Sequence, residues 1–186
     1  MDKDKALEYI TIEYKRIVGA IIDQKEKHDS LPNIPEFMLI TFEDESDLMV
    51  FMNIPDEYSK QDVFNQLGEL VAKQNLSNKV SHVIFKLSCY MRKFHKDEKI
   101  IGRVSSYPDS RDAQVFILYD FSDRKIYMCS ADEMHNDRKM IIGLDELSEI
   151  NELEKDSSHL TLAFEEGFDS YYDIDLGLGE HLGLQA

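Results

Sequence analysis

Apolar residues recur at Leu7, Ile10, Tyr14, Ile17 and Ile21, a spacing of three and four that gathers them on one helical face, with Lys15, Arg16, Asp23 and Lys25 elsewhere. The period predicts a core-facing helix over Leu7–Ile22. It ends near Pro32 and Pro35, because proline disfavours helical geometry in the residue before it. Two compact apolar runs follow, Phe37–Phe42 and Leu48–Met52, separated by Glu43-Asp44-Glu45-Ser46-Asp47, and they read as two strands joined by an acidic turn. Four acids in five residues suit a cation, but the calcium-loop spacing, with glycine at its sixth place, is absent, so a solvated hairpin tip is the expectation. Ser59-Lys60-Gln61-Asp62 has the form of a helix cap. Beyond it Val63, Phe64, Leu67, Leu70 and Val71 predict a second helix.

Strict alternation begins at Val83, where Val83, Phe85, Leu87, Cys89 and Met91 interleave with Ile84, Lys86, Ser88, Tyr90 and Arg92. Period two predicts a long strand with one face in the core and the other semi-polar. Val115–Phe121 is almost continuously apolar, the mark of a strand covered on both faces, and the turn residues Asp120-Phe121-Ser122-Asp123-Arg124 join it to a strand at Ile126–Cys129. Weaker strands are expected at Met140–Ile142 and Leu160–Phe164, with a short helix over Asp145–Lys155. The fold class that results is α+β: a mostly antiparallel sheet of five to seven strands, with the two main helices packed on one face. Residues 1–176 are expected to form a single domain and the glycine-rich residues 177–186 a loosely held tail.

Composition confirms that the chain can fold, since 42% hydrophobic residues offset the entropy of ordering. Cys89 and Cys129 sit in strand-like runs and are expected as buried free thiols. No run approaches the roughly 18 apolar residues of a membrane span, and the charged start, Met1-Asp2-Lys3-Asp4-Lys5, is unlike a signal peptide. A cytoplasmic protein with no membrane partner is the expectation.

Charge changes the picture more. The net charge is −16, yet Lys79 to Arg111 holds eight cations against three acids, a local excess of five, and no Lys or Arg follows Lys155. One surface should attract anions while the rest of the molecule repels them. Arg92, Lys93, Lys96, Lys99, Arg103 and Arg111, interleaved with Tyr90, Phe94, His95 and Tyr107, form a candidate basic hairpin, since cations grip phosphates and aromatic faces stack bases.

Familiar catalytic signatures are missing: there is no phosphate loop, Gly-x-Ser-x-Gly elbow, His-Glu-x-x-His or Cys-x-x-Cys. One stretch, Asp132-Glu133-Met134-His135-Asn136-Asp137, places an imidazole among carboxylates, which makes Asp132, Glu133 and His135 the candidate metal ligands. No cofactor is otherwise predicted, and a divalent metal is what these residues leave open.

The strand Leu87-Ser88-Cys89-Tyr90-Met91, the loop Val104 to Ala113 containing Pro108-Asp109-Ser110-Arg111, and the strand Gln114–Tyr119 together resemble a pattern found in small uncharacterised prokaryotic proteins. Ser88 stands where that pattern carries an acid. The resemblance implies α+β topology over residues 87–119 and brings no activity with it.

Function is therefore read from charge and candidate ligands. The leading expectation is a non-enzymatic macromolecular binding or regulatory module, acting on another protein, or on nucleic acid through the basic hairpin. Two alternatives stand beside it. One is a metal-dependent hydrolase using Asp120, Asp132, Glu133 and His135; the other is an acidic mimic of nucleic acid that inhibits a basic partner.

Overall fold

The computed structural model describes residues 1–28, 35–52, 60–93, 99, 101, 103–154 and 159–181, with residues 27, 28 and 173–181 as backbone alone. In chain order the elements are α1 (Lys3–His28), β1 (Glu36–Phe42), β2 (Asp47–Met52), α2 (Lys60–Ser77), β3 (Val80–Met91), a 3-10 turn (Val104–Ser106), β4 (Arg111–Asp120), β5 (Lys125–His135), β6 (Ile141–Leu144), β7 (Asn151–Leu153) and α3 (His159–His181). The strands build one antiparallel sheet in the order β2-β1-β3-β4-β5-β6, with β7 pairing the first half of β5 and β6 its second half. The fold is α+β. No helix among the described residues is long and apolar enough to cross a membrane.

The two helices predicted from the sequence do not share a face of the sheet. Ala6, Ile10, Ile17 and Ile21 of α1 pack on Ile84, Phe116, Leu118, Tyr127 and Cys129. Phe64, Leu67 and Val71 of α2, with Ala163, Phe164 and Phe168 of α3, pack on Val83, Phe85, Leu87, Val115, Ile117 and Tyr119 on the other side. Successive strand residues point to opposite faces, so β3 and β4 must bury both their odd and their even positions. At about 1.5–3 kcal/mol for each large apolar side chain buried, neither face can be left open. The semi-polar face expected of β3 is buried in its first half, where α1 packs on His82 and Ile84, and open at Ser88 and Tyr90: His82 is 1% and Lys86 0% exposed. The Lys86 Nζ donates to the Pro35 carbonyl oxygen at 3.1 Å, and burial pushes its pKa down to about 8 against the pull of Glu36 and Glu133.

Two other expectations are corrected. Leu160–Phe164 lies in α3, because Leu160, Ala163, Phe164, Phe168 and Tyr171 continue the apolar run at helical spacing into the α2-side core. Asp145–Lys155 holds no helix among its described residues: Asp145 N–H donates to the Asp132 carbonyl, Ser148 N–H to the Ser130 carbonyl, and Asn151–Leu153 pairs with Ile126–Met128. A backbone laid along β5 has spent its hydrogen bonds on the sheet. The capping sequence at Ser59 lies outside the described residues.

The acidic turn between β1 and β2 is a hairpin tip, as expected. Glu45 takes a left-handed φ of 65°, and the Asp44 carboxylate accepts hydrogen bonds from the Ser46 hydroxyl and N–H and from Asn78 Nδ2, which lower its pKa. Cys89 and Cys129 are free thiols on opposite faces of the sheet, and burial pushes Cys129 up to about 12.

Candidate metal centre

The β4–β5 hairpin sets the site. Asp120 pairs with Lys125 and the ladder runs back to Ala113 opposite Asp132, so one step further Asp112 stands beside Glu133. His135 lies two residues beyond Glu133, just past a register shift between Met134 and His135 where β6 joins. Its Nε2 is 3.3 Å from Asp112 Oδ2 and 3.6 Å from Glu133 Oε2, and one ligand atom from each residue falls within 4.8 Å of the others.

The second imidazole nitrogen, Nδ1, is 3.3 Å from the Lys139 carbonyl oxygen. A carbonyl can only accept, so Nδ1 carries a hydrogen, and in the neutral ring the lone pair of Nε2 faces two carboxylates. The three groups therefore offer acceptors that a divalent cation could share. The carbonyl itself is held by the β5–β6 turn: Lys139 has φ 58°, and Asn136 Oδ1 accepts from the N–H groups of Arg138 and Met140.

Glu133 is positioned too. Its side chain is 8% exposed, its Oε1 accepts from Gln114 Nε2, and Gln114 exchanges hydrogen bonds with Ser88 Oγ at 3.2–3.3 Å. Outer partners that fix a ligand's orientation in this way commonly accompany metal sites. Two carboxylates and an imidazole suit a borderline divalent ion such as Mn²⁺ or Zn²⁺. Asp112 and Glu133 line a cleft of about 550 Å³, which is also lined by Lys60, Ser88, Tyr90 and Ser105. Three protein ligands leave coordination positions free on that side.

Of the ligands expected from sequence, Glu133 and His135 come together and Asp132 does not. The stretch is strand rather than loop, so Asp132 points to the opposite face, where it pairs with Arg111. Asp120, proposed for the hydrolase, is eight strand residues from Asp112, about 26 Å away at 3.3 Å per residue. It is buried beside the Met1 ammonium at 2.7 Å and accepts from Ser122 N–H and Oγ; burial pushes its pKa up, and these donors outweigh that and hold it below the ordinary value. Asp112 and Gln114 are the residues of this candidate site that sequence reading missed.

The basic hairpin is partly neutralised. Arg92 Nε lies 2.6 Å from Asp109 Oδ1, its guanidinium sits 4.2 Å from the Tyr107 ring centroid, and Tyr107 is itself tied to both backbone groups of Ile101. Arg111 is engaged by Asp132. Lys93, Lys99 and Arg103 are exposed, and Lys96 lies outside the described residues. No protein-family model matches this chain, and neither a curated protein nor a solved structure does.

Proposed function

We propose that this protein is a metal-dependent hydrolase whose centre is Asp112, Glu133 and His135. The observation that carries the reading is the set of three ligand atoms within 4.8 Å, with His135 Nδ1 already spent on a carbonyl and Nε2 left for a cation. A divalent ion held there by three side chains on two adjacent strands would polarise a substrate oxygen and acidify a bound water at its open positions. The cleft beside it gives a substrate access to that water. A binding module working through the basic hairpin draws less support, because Arg92 and Arg111 already hold carboxylates of the same chain.

Chelator-stripped protein titrated with Mn²⁺ or Zn²⁺ is expected to melt higher by about 5–11 °C at a hundredfold excess over the dissociation constant, from about 2.7 kcal/mol of linkage. His135→Ala should abolish the shift. The stripped protein should hydrolyse none of a panel of acyl, glycosyl and phosphate p-nitrophenyl substrates, and should regain turnover of at least one with the metal. An equal melting shift in His135→Ala, or turnover indifferent to chelation, overturns the reading.

A further inference from the structure

We infer that the substrate of this centre is a phosphate ester, an inference that rests on the metal-dependent reading above. Its basis is a coincidence of position that neither half of the sequence shows. The cation-rich stretch of a chain with net charge −16, Lys79 to Arg111, takes in the connection between β3 and β4, and Asp112 is the residue that follows it. Its described residues Lys93, Lys99 and Arg103 belong to the connection that leads into Asp112.

The cleft walls carry matching chemistry. Lys60, the first residue of α2, is exposed and lines the cleft from one side. Val104 and Ser105 line it from the β3–β4 connection, directly after the exposed Arg103. Ser88, Ser105 and Tyr90 add hydroxyl groups that can donate to anionic oxygens. Two carboxylates and a neutral imidazole total −2, which a divalent ion cancels. Lys60 then leaves the loaded site positive, whereas the empty site confronts an anion with two bare carboxylates. Phosphate affinity must consequently depend on the metal, and by linkage the metal's affinity on phosphate.

Such a site selects a tetrahedral oxyanion over a neutral acyl or glycosyl group. Its oxygens could be shared between the ion and the Lys60 ammonium, an arrangement that would neutralise charge developing during phosphoryl transfer. In the reaction water adds to phosphorus, the ester P–O bond breaks, and the departing oxygen takes up the proton that water releases. The acidic remainder of the molecule steers polyanions away from every other face.

The test uses the full chain, with inorganic phosphate as ligand and with 4-nitrophenyl phosphate and bis(4-nitrophenyl) phosphate as monoester and diester substrates. Mn²⁺-loaded protein should bind phosphate, stripped protein should not, and phosphate should tighten Mn²⁺ binding by the same factor. The double variant Lys60→Ala, Arg103→Ala changes two exposed side chains and should retain the wild-type melting temperature and Mn²⁺ affinity. It should lose about tenfold or more in phosphate affinity and turnover, as expected for losing the charge-assisted hydrogen bond from Lys60 together with the Arg103 charge next to the cleft-lining Val104. Preference for one ester identifies the source as a small phosphomonoester or a nucleic-acid diester, and either supports the inference. Metal uptake without phosphate binding, or a double variant that binds phosphate like wild type, overturns the inference while leaving the metal centre standing. Failure to take up metal overturns both.

Discussion

Gly167→Ala is expected to destabilise the protein by about 3 kcal/mol or more, lowering the melting temperature by about 6–12 °C. A methyl group at Gly167 in α3 would lie 1.9 Å from the Asn65 carbonyl oxygen of α2, and one at Gly68 in α2 would lie 2.1 Å from the Phe164 carbonyl oxygen of α3. The contacts are reciprocal, and both are with backbone that cannot rotate aside. Either substitution must push the helices apart, which loosens the ring cluster beneath them, where Phe85 lies 4.9 Å from Phe64 and 5.1 Å from Phe164 between centroids. Dispersion falls steeply with separation, so a shift of an ångström costs much of that packing. Gly19 is the control: it sits exposed within α1 with nothing within 4 Å of its added methyl, and Gly19→Ala should stabilise by up to about 1 kcal/mol from helix propensity. Calorimetry of the two variants decides the matter, and a Gly167→Ala protein that melts with wild type would show that the helices do not cross this closely. Because Lys60 opens α2 and lines the cleft beside Asp112 and Glu133, the same variant should also weaken the proposed phosphate binding by moving that ammonium.

How much of this was legible in the sequence depends on the range of each signal. The α1 stripe, the acidic hairpin tip and the alternation of β3 are local, and each appears in the structure where the spacing put it. The face that each helix covers is not local: β3 is apolar at Val83 and at Ile84 alike, so neither side announces its partner. Leu160–Phe164 holds four apolar residues and Thr161, too short a run to show a period of its own, and only the continuation through Phe168 and Tyr171 separates helix from strand. Leu147, Ile150 and Leu153 mimic a helical spacing, yet the donors of Asp145 and Ser148 were worth more on the exposed flank of β5. At the candidate site, period two would have excluded Asp132 once Asp132–His135 was read as strand. Counting back from Asp120 and forward from Lys125 across the turn reaches Asp112 and Glu133 together, so the missing ligand was encoded in the hairpin register.

Acid is expected to weaken the fold earlier than its carboxylates would dictate, through His82. This residue sits on β3 under α1, stacked on Tyr9 at 4.3 Å between ring centroids, with a ring nitrogen 3.3 Å from Ser81 Oγ. Burial lowers its pKa to about 4; Asp47 of β2 and Asp120 of β4 pull it upward, and Lys5 of α1 adds to the lowering. In the unfolded chain the ring titrates near 6.5. Above that value it is neutral in both states, and its contribution to stability is fully present. As pH falls from 6.5 to 4 the unfolded state takes up a proton that the folded state refuses, so stability drops, by about 3 kcal/mol over the whole window. Below 4 both states are protonated and the loss from this group stops. Asp120, held below its ordinary value, contributes a loss of the same sign that begins only as pH falls past 3.8, and Glu13, raised by burial, works in the opposite direction. The window between 6.5 and 4 therefore belongs chiefly to His82. His82→Phe keeps a ring against Tyr9 and removes the titrating group, so urea midpoints at pH 7, 5.5 and 4.5 should fall much less steeply for the variant than for wild type. Parallel slopes would place the acid sensitivity elsewhere and show that this imidazole meets water in the folded state.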